Sequence, residues 1–232
     1  MSDTVIMPRP QAHPLAGQVM SGAQMIVQVV ADEGTSAIFG YSGGAILPTY
    51  DAVSLYNEAQ KLAGNALIPL IVPANEQGAG FMAAGYARSS GRVGVALVTS
   101  GPGATNTVTP IRDCMADSVP IVVICGQVPT AAIGSDAFQE APVASIMGAV
   151  AKHVFLVTDP VKLEATVRTA FEVARTGRPG PVVIDIPKDV QNWKGEFHGH
   201  GTLAGGHGFG AESPAPKMLR VSSNCWPSRS GR

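Results

Sequence analysis

Charge is scarce in this chain, and the little that is present almost cancels. Only 14% of the 232 residues are charged, and 16 basic side chains face 17 acidic ones for a formal net charge of −1. Such a balance lacks the basic surface that binds nucleic acid or an anionic membrane. Apolar residues make up 45% of the chain, which suits a large buried core and further surface buried against partners.

Cysteines and long apolar segments are also rare. The three cysteines, Cys114, Cys125 and Cys225, follow neither a metal-site nor a redox spacing, so no metal site is expected. Cys114 and Cys125 lie in apolar segments and are expected to be reduced thiols of the core. No apolar run reaches membrane-spanning length, and the first residues lack a basic segment followed by an apolar one. A cytoplasmic protein is therefore expected.

Short β-type segments alternate with helix-compatible ones through most of the chain. Strands are predicted at 37–39, 67–72, 93–98, 121–125, 154–157 and 182–186, and helices at 45–57, 76–89, 104–117 and 160–176. An earlier helix is predicted to begin after Ser21 as N-cap and to end at Gly34. Nearly continuous apolar strands are typical of a parallel sheet that is covered on both faces. The sequence therefore predicts a doubly wound α/β fold with a mostly parallel sheet.

The ends of the chain differ in composition from its middle. Residues 1–17 hold three prolines and no periodic pattern, which indicates a flexible N-terminal arm. A single domain is predicted at 18–195. Residues 196–232 are rich first in glycine and then in basic side chains, which indicates a linker and an unstructured tail. Three histidines of that segment could alternatively bind a metal, but a glycine-rich linker is the preferred interpretation.

A carboxylate, Glu76, follows a predicted strand and begins a helix of small residues. Glycine or alanine occupies positions 78, 79, 80, 83, 84 and 85, so another backbone or a flat ring could approach this helix closely. Ligands of α/β proteins bind where strands give way to helices at the carboxyl edge of the sheet. The alternative is structural, because the helix dipole stabilises an acidic side chain in the first turn. The small neighbours favour contact between Glu76 and a ligand.

Three other segments have the residue types of a binding site. Residues 99–106 contain Gly-Pro-Gly after a strand and are expected to form a tight turn that shapes a pocket wall. A phosphate cradle is the alternative there, although no phosphate-loop spacing matches. Phe138 and Gln139 could contact a ligand from a loop, but Phe138 could equally fill the core. Arg178 and Lys188 flank the last strand, and such charges usually face solvent.

Six short motifs in a fixed order carry a family resemblance. They are Tyr-Ser-Gly-Gly-Ala at 41–45, Asn-Glu-Gln-Gly-Ala-Gly at 75–80, Thr-Ser-Gly-Pro-Gly-Ala-Thr-Asn at 99–106, Asp-Ala-Phe-Gln-Glu at 136–140, Gly-Arg-Pro-Gly-Pro at 177–181 and Asp-Ile-Pro-Lys-Asp-Val at 185–190. Together they resemble the pyrimidine-binding domain of thiamine diphosphate enzymes. Within that superfamily the chain is most similar to the catalytic subunit of acetolactate synthase, because Phe138 and Gln139 occur together with Lys188. The resemblance covers about residues 18–200.

The resemblance implies a catalytic residue and a turn beside it. The glutamate that matches Glu76 hydrogen-bonds a ring nitrogen of the aminopyrimidine of thiamine diphosphate. A carboxyl that shares a proton with this nitrogen favours the tautomer that activates the cofactor. Gly43, Gly44 and Ala45 match a backbone turn near the reacting carbon, where a larger residue would clash.

The resemblance also implies substrate and flavin contacts. Phe138 and Gln139 are expected to line the cofactor and substrate pocket from the neighbouring subunit's side. Lys188 matches a lysine at the substrate entrance, where it would steer the carboxylate of pyruvate. Ser118 and Arg178 match residues that contact FAD in synthases of this type, and most other flavin contacts would come from a following domain.

The chain departs from the family pattern at several points. The family often has histidine where this chain has Asn75, and residues 54–67 resemble a surface insertion. No segment matches the Gly-Asp-Gly…Asn motif of the family's diphosphate domain, which binds Mg²⁺ and the diphosphate group. The preferred interpretation is therefore a truncated or frame-shifted acetolactate synthase large subunit, which is expected to be inactive alone.

The parent reaction implied by the resemblance belongs to branched-chain amino acid biosynthesis. Pyruvate is decarboxylated and then condensed with a second 2-oxo acid, either pyruvate or 2-oxobutanoate. The implied partners are further copies of the chain, in a homodimer or higher homo-oligomer, and a small regulatory subunit. Two alternatives remain open: another thiamine diphosphate carboligase or 2-oxo-acid decarboxylase, and a non-catalytic fragment that only dimerises.

Overall fold

The computed structural model describes residues 13–199, which are built around a parallel sheet. Its six strands are β2 (Ile38–Tyr41), β3 (Leu70–Ile71), β4 (Gly94–Val98), β5 (Ile121–Gln127), β6 (His153–Leu156) and β7 (Val182–Pro187). They lie in the order β3-β2-β4-β5-β7-β6, and every neighbouring pair is parallel. Two short antiparallel strands, β1 (Val19–Ser21) and β8 (Lys194–Glu196), pair with each other outside this sheet. The predicted mostly parallel sheet is confirmed.

Helices cover both faces of the sheet. They are α1 (Gly22–Asp32), α2 (Leu47–Leu62), α3 (Glu76–Ser90), α4 (Pro102–Thr105), α5 (Val108–Asp117), α6 (Val143–Gly148), α7 (Leu163–Arg175) and α8 (Lys188–Asn192). Between residues 13 and 199, none of them is long and apolar enough to cross a membrane. One core cluster contains apolar residues of α1, α2 and α7, and a second contains those of α3, α5 and α6. The doubly wound α/β fold is therefore confirmed.

Alternation along the strands explains the two core layers. In β5, Val122 and Ile124 face the α1 and α7 layer, whereas Val123 and Cys125 face the α3 and α5 layer, and all four are fully buried. Cys125 and Cys114 are buried free thiols, as predicted, and burial raises the pKa of Cys114 to about 12. Cys225 lies outside the described residues.

The first helix begins and ends where its sequence predicts. The Ser21 hydroxyl accepts a hydrogen bond from the backbone N–H of Gln24 at 3.2 Å. The Gln24 side chain in turn accepts one from the backbone N–H of Ser21, at 2.8 Å. This reciprocal pair is a capping box, which stabilises the first turn. Gly34 has a φ of +75° just beyond the helix, a backbone conformation that glycine adopts without strain.

Two predicted elements differ from the structure because of proline. The predicted helix at 104–117 is divided into α4 and α5, since Pro110 in a continuous helix would clash with the carbonyl of Asn106. The predicted strand at 67–72 is reduced to two paired residues at the edge of the sheet. Pro69 cannot donate a hydrogen bond there, and Val72 is 59% exposed. A strand is present before Glu76 as predicted, but it is shorter and more exposed than the apolar sequence indicates.

Helix α2 is longer than predicted. It continues to Leu62, so residues 54–62, which the sequence assigns to a surface insertion, form the second half of a helix. Whether they are an insertion relative to the family remains a prediction. Helices α6 and α8 and the pairing of β1 with β8 were not predicted.

Both ends of the described chain pack against α1 and α7. Phe197 is fully buried, and the guanidinium of Arg168 lies 5.5 Å from the centre of its ring. Glu164 accepts hydrogen bonds from the backbone N–H groups of His198 and Gly199, at 2.8 and 2.9 Å. Residues 13–17 and 196–199, assigned to the arm and the linker, therefore belong to the packed structure. The rest of the arm, linker and tail lies outside the described residues, so the division into arm, domain and tail remains a prediction.

The alternative histidine metal site has one member, His198, within residues 13–199. His198 is described and has Glu164 as its neighbour, with 3.5 Å between the imidazole Nδ1 and a carboxylate oxygen. His200 and His207 lie outside the described residues. Within residues 13–199, no group of three or more His, Cys, Asp or Glu side chains is arranged to hold a metal ion.

Candidate functional site

The switch in strand order locates the candidate site. From β2 the chain passes to β3 on one side and then returns to β4 on the other side of β2. A crevice opens at the carboxyl edge of a doubly wound sheet at such a switch point, and ligands bind there. The turns after β2 and β4 and the start of α3 meet at this edge, so the motifs around Gly43, Glu76 and Thr99 lie together.

Glu76 is the first residue of α3 and its side chain is nearly buried, with 8% exposure for the residue. Asn75 is the N-cap, and its side chain accepts a hydrogen bond from the backbone N–H of Gly78 at 2.8 Å. The carboxylate atom Oε2 accepts a hydrogen bond from Nδ2 of Asn106 at 2.9 Å. A Cβ at position 103 would lie 3.3 Å from the other oxygen, Oε1, so Gly103 leaves room beside it.

The pKa of Tyr50 depends partly on Glu76. Burial, and then the negative charge of Glu76, raise the pKa of Tyr50, so its hydroxyl remains protonated. This hydroxyl donates a long hydrogen bond, 3.4 Å, to the carbonyl oxygen of Leu97 in β4.

Thr99 lies at the centre of the turns. A Cβ at Gly43 would lie 2.5 Å from the Thr99 side chain, and one at Gly103 would lie 2.6 Å from it. The Thr99 hydroxyl accepts a hydrogen bond from the backbone N–H of Ala45 at 3.3 Å. By contrast, a Cβ at Gly44 would have no atom of the described chain within 4 Å. We call Gly43, Gly44, Gly101 and Gly103 the glycine shelf.

Gln191 of α8 fixes the turn of Ala45 from below. The residue is fully buried, and its Nε2 donates to the carbonyl oxygens of Ala45 at 2.8 Å and Ile186 at 3.0 Å. Its Oε1 accepts from the Thr49 hydroxyl at 2.9 Å. A Cβ at Gly126 would lie 2.6 Å from the backbone of Ala45, so the carboxyl end of β5 also contacts this turn.

The loop of Phe138 and Gln139 reaches the same edge. A Cβ at Gly101 would lie 2.4 Å from the carbonyl oxygen of Gln139, so this loop packs directly on the glycine shelf. The Glu140 carboxylate accepts hydrogen bonds from the backbone N–H groups of Gly134 and Ala137, which lowers the pKa of Glu140. Phe138 is 88% exposed, so the alternative that it fills the core was wrong. Gln139 and Glu76 of the same chain therefore lie at the same edge of the sheet.

Lys188 also lies at the carboxyl edge. It is the first residue of α8, directly after β7, and it is half-buried. Within residues 13–199 its ammonium group has no hydrogen-bond or ion-pair partner. Its neighbour Asp189 accepts hydrogen bonds from the backbone N–H and the hydroxyl of Thr130, at 3.0 and 3.1 Å. That contact joins the start of α8 to the segment that leads to Gln139.

Ser118 and Arg178 lie at the opposite edge of the sheet. They precede the amino ends of β5 and β7, so the sheet separates them from Glu76. Arg178 donates to the Ser118 hydroxyl at 2.8 Å and to the carbonyl oxygens of Met115 and Ala116 at 2.9 and 3.0 Å. Ser118 has a φ of +59° at the end of α5. In this structure the two residues end a helix, and their predicted flavin contact remains a prediction.

Three polar residues near the site were missed in the sequence. Asn106 belongs to the motif at 99–106, but its spacing does not indicate a contact with Glu76. Gln191 could not be recognised because the sequence does not distinguish a buried glutamine from an exposed one. Asp185 did give a signal, as an acidic residue in an apolar strand. It is buried, and burial raises its pKa to about 7, while a hydrogen bond from Gln127 at 3.0 Å opposes that shift. Its second oxygen, Oδ1, has no hydrogen-bond partner among residues 13–199.

Comparison with known proteins agrees with this geometry. Residues 20–147 match the family model described as thiamine pyrophosphate enzyme, N-terminal TPP binding domain. The chain is 51% identical to the acetolactate synthase large subunit of Haemophilus influenzae over 173 residues, which are 75% of this chain and 29% of that protein. It is 50% identical to the mitochondrial acetolactate synthase catalytic subunit of Aspergillus candidus over 170 residues, 73% of this chain and 23% of that protein.

A third relative gives the same result. The chain is 46% identical to the acetolactate synthase isozyme 2 large subunit of Escherichia coli over 178 residues, 77% of this chain and 31% of that protein. The chain thus spans about a quarter to a third of the length of the curated relatives it matches. The resemblance predicted from six motifs is confirmed. This chain belongs to the thiamine pyrophosphate enzyme family and contains the N-terminal TPP binding domain of that family.

Proposed function

We propose that residues 13–199 are the pyrimidine-binding part of an acetolactate synthase catalytic subunit. The observation that carries this proposal is the position of Glu76, a nearly buried carboxylate at the switch point of the sheet, beside the glycine shelf. About half of the aligned residues are identical to acetolactate synthase subunits, which supports the assignment.

The residues of the site fit the aminopyrimidine of thiamine diphosphate. Gly103 leaves room beside Oε1 of Glu76, and the open space at Gly44 suits a flat ring. Asn106 already donates to Oε2, so Oε1 is the oxygen available to a ligand. We further propose that Mg²⁺ and the diphosphate group are bound by protein outside residues 13–199, because these residues lack a cluster that could hold the metal.

The bound cofactor would supply the carbon nucleophile that attacks the carbonyl of a 2-oxo acid. Glu76 would hold, on Oε1, the proton that it shares with the ring nitrogen. Gly43, Gly44 and Ala45 would keep the space next to the ring free of side chains. Lys188, without an ionic partner among the described residues, would attract the carboxylate of the substrate.

The proposed substrates are pyruvate as donor and pyruvate or 2-oxobutanoate as acceptor, in branched-chain amino acid biosynthesis. Phe138 and Gln139 would line the substrate side, since their loop packs on Gly101. FAD would lie at the other edge of the sheet, where Ser118 and Arg178 are hydrogen-bonded to each other. A flavin there would be remote from Glu76. The cytoplasmic location also remains a proposal.

A second copy of the chain is the proposed partner at the carboxyl edge. Phe81 is 39% exposed and Met82 is 42% exposed, and both lie on the helix that begins with Glu76. Phe138 is almost fully exposed at the same edge. These apolar side chains would be buried in a homodimer or higher homo-oligomer, which would also close the open side of the glycine shelf. A small regulatory subunit is proposed only from the resemblance.

The test is a complementation assay. The chain is mixed with the part of the Haemophilus influenzae large subunit that lies beyond the matched segment, together with thiamine diphosphate, Mg²⁺, FAD and pyruvate, and acetolactate is measured. We expect negligible product from the chain alone and a measurable rate from the mixture. Glu76→Gln should lower that rate by about 100-fold or more, because its amide cannot share a proton in the same way.

The control is Glu58→Gln, which changes an exposed glutamate of α2. This variant should keep the rate of the unmodified chain. A Glu76→Gln mixture as fast as the control would contradict the role of Glu76. Full activity of the chain alone would contradict the proposal that other protein completes the site.

A further inference from the structure

Asn106 is the only described residue whose side chain hydrogen-bonds Glu76 within residues 13–199. Its position is fixed by the end of α4, where its backbone N–H donates to the carbonyl oxygen of Pro102 at 3.0 Å. Asn106 lies between α4 and α5, and its side chain reaches Glu76 at the start of α3. The resulting contact joins Nδ2 to Oε2 of Glu76 at 2.9 Å, across 30 positions of sequence.

The chemistry of an amide determines what this contact does. The NH2 group of asparagine only donates hydrogen bonds, so the carboxyl oxygen that faces it must accept. In a carboxylic acid the carbonyl oxygen is a stronger acceptor than the hydroxyl oxygen, so this contact favours the arrangement in which the one proton is on the other oxygen. That other oxygen is Oε1, the atom beside Gly103 on the glycine shelf. The contact therefore selects which oxygen of Glu76 can offer a proton to a ligand.

We propose that Asn106 is a positioning residue that directs the shared proton of Glu76 to Oε1, the oxygen that faces the cofactor ring. The inference rests on the proposed function for its consequence, but the contact itself exists without the cofactor. It adds a second residue to the proton-sharing site and explains why the turn after β4 contains a polar side chain at position 106 as well as its glycines.

The opposite orientation of the amide makes a different prediction. If Oδ1 of Asn106 faced Glu76, the proton would lie on Oε2, between the two side chains. Oε1 would then be an acceptor without a proton, and Asn106 would compete with the ring nitrogen. Removing the Asn106 amide would in that case leave the rate unchanged or raise it.

The contact can be measured by NMR on the full chain labelled with ¹⁵N. Asn106→Ser identifies the side-chain NH2 signals of Asn106 by their loss. We expect Glu76→Gln to shift these signals, because the carboxyl oxygen that accepts from Asn106 is replaced by an amide group, and Glu58→Gln to leave them in place. Asn106 NH2 signals that do not respond to Glu76→Gln would overturn the proposal.

The consequence can be measured in the complementation assay. Asn106→Ala should lower kcat by about 10-fold to 100-fold, the range for losing one hydrogen bond to a charged group, with less than about 3-fold change in the KM for pyruvate. Asn106→Ser, which keeps a donor, should recover part of that loss. Asn65→Ala is the matched control, since Asn65 is exposed and, within residues 13–199, forms hydrogen bonds only to Gln60.

The results separate this inference from the proposed function. If Glu76→Gln abolishes the rate while Asn106→Ala retains it, the positioning role fails and the proposed function stands. If Glu76→Gln retains the rate, the proposed function fails, and the NMR experiment still decides whether Asn106 donates to Glu76. A kcat that falls equally for Asn65→Ala would also contradict a specific role for Asn106.

Discussion

The two edges of the parallel sheet are built from different contacts. At the carboxyl edge, Gly43, Gly101 and Gly126 allow close packing, because a Cβ at each of these positions would lie within 2.6 Å of another atom. At the amino edge, the Arg178 guanidinium covers the last carbonyl groups of α5 with hydrogen bonds. The carboxyl edge is packed closely around Glu76 but is open above Gly44. At the amino edge, the polar groups form hydrogen bonds with each other. The open space above Gly44 supports the carboxyl edge as the place of the proposed aminopyrimidine site.

The largest expected effect tests the close packing at the carboxyl edge. Gly101→Ala should lower the free energy of unfolding by at least about 4 kcal/mol, because the residue has a φ of +53° and its new Cβ would lie 2.4 Å from the carbonyl oxygen of Gln139. Urea unfolding measures the change. Gly44→Ala is the control, and it should cost less than about 1 kcal/mol because the space around it is open. Equal losses would contradict the packing described for this edge.

The next effect depends on pH and concerns Asp185. Burial raises its pKa in the folded chain to about 7, from 3.8 for an exposed group. Between about pH 4 and pH 7 the folded chain therefore keeps a proton that the unfolded chain releases, so stability falls as the pH rises. The slope reaches roughly 1.4 kcal/mol for each pH unit in the middle of this window and is smaller near both ends, so the total loss is about 3 kcal/mol.

The pH effect is isolated by comparison with Asp185→Asn. The free energy of unfolding is measured with urea at pH 4, 5, 6 and 7. Between pH 4 and pH 7 it should fall by about 3 kcal/mol more for the unmodified chain than for the variant. The exposed Asp51→Asn should keep the decline of the unmodified chain. Parallel pH curves for the Asp185 variant and the unmodified chain would show that this carboxyl is charged in the folded state at neutral pH.

A smaller effect is expected where Gln191 supports the turn of Ala45. Gln191→Leu should lower the free energy of unfolding by about 2 kcal/mol, because the carbonyl groups of Ala45 and Ile186 and the buried Thr49 hydroxyl lose their partner. Denaturant unfolding gives the value. The exposed neighbour Asn192→Leu should change it by less than about 0.5 kcal/mol. A loss no larger than that of the control would mean that the turn does not depend on α8.

The smallest effect is expected at the amino edge. Arg178→Ala should cost about 0.5–1 kcal/mol, since its hydrogen bonds to the end of α5 are largely exposed to solvent. Thermal unfolding measures the loss, and the NH2 signals of Asn106 should not move. A shift of those signals in Arg178→Ala would show that the two edges are coupled, which would contradict the description of them as separate sets of contacts.

The sequence predicts the carboxyl edge better than the contacts that support it. Apolar strands are a local pattern, so the parallel sheet could be inferred from the sequence, whereas the turn of Gly43 was placed beside Glu76 only by the family resemblance. The partners of Glu76 and Ala45 could not be inferred, because Asn106 and Gln191 lie 30 and 146 positions away from them. The pairing of β1 with β8 was missed for the same reason.

The central claim is that Glu76 hydrogen-bonds the ring of thiamine diphosphate from the glycine shelf. The most direct test is a crystal structure of the chain with the complementary portion, thiamine diphosphate and Mg²⁺. We predict a distance of about 2.6–3.0 Å between Oε1 of Glu76 and a nitrogen of the aminopyrimidine ring. A Glu76 side chain turned into solvent, with this distance beyond about 4 Å, would contradict the account.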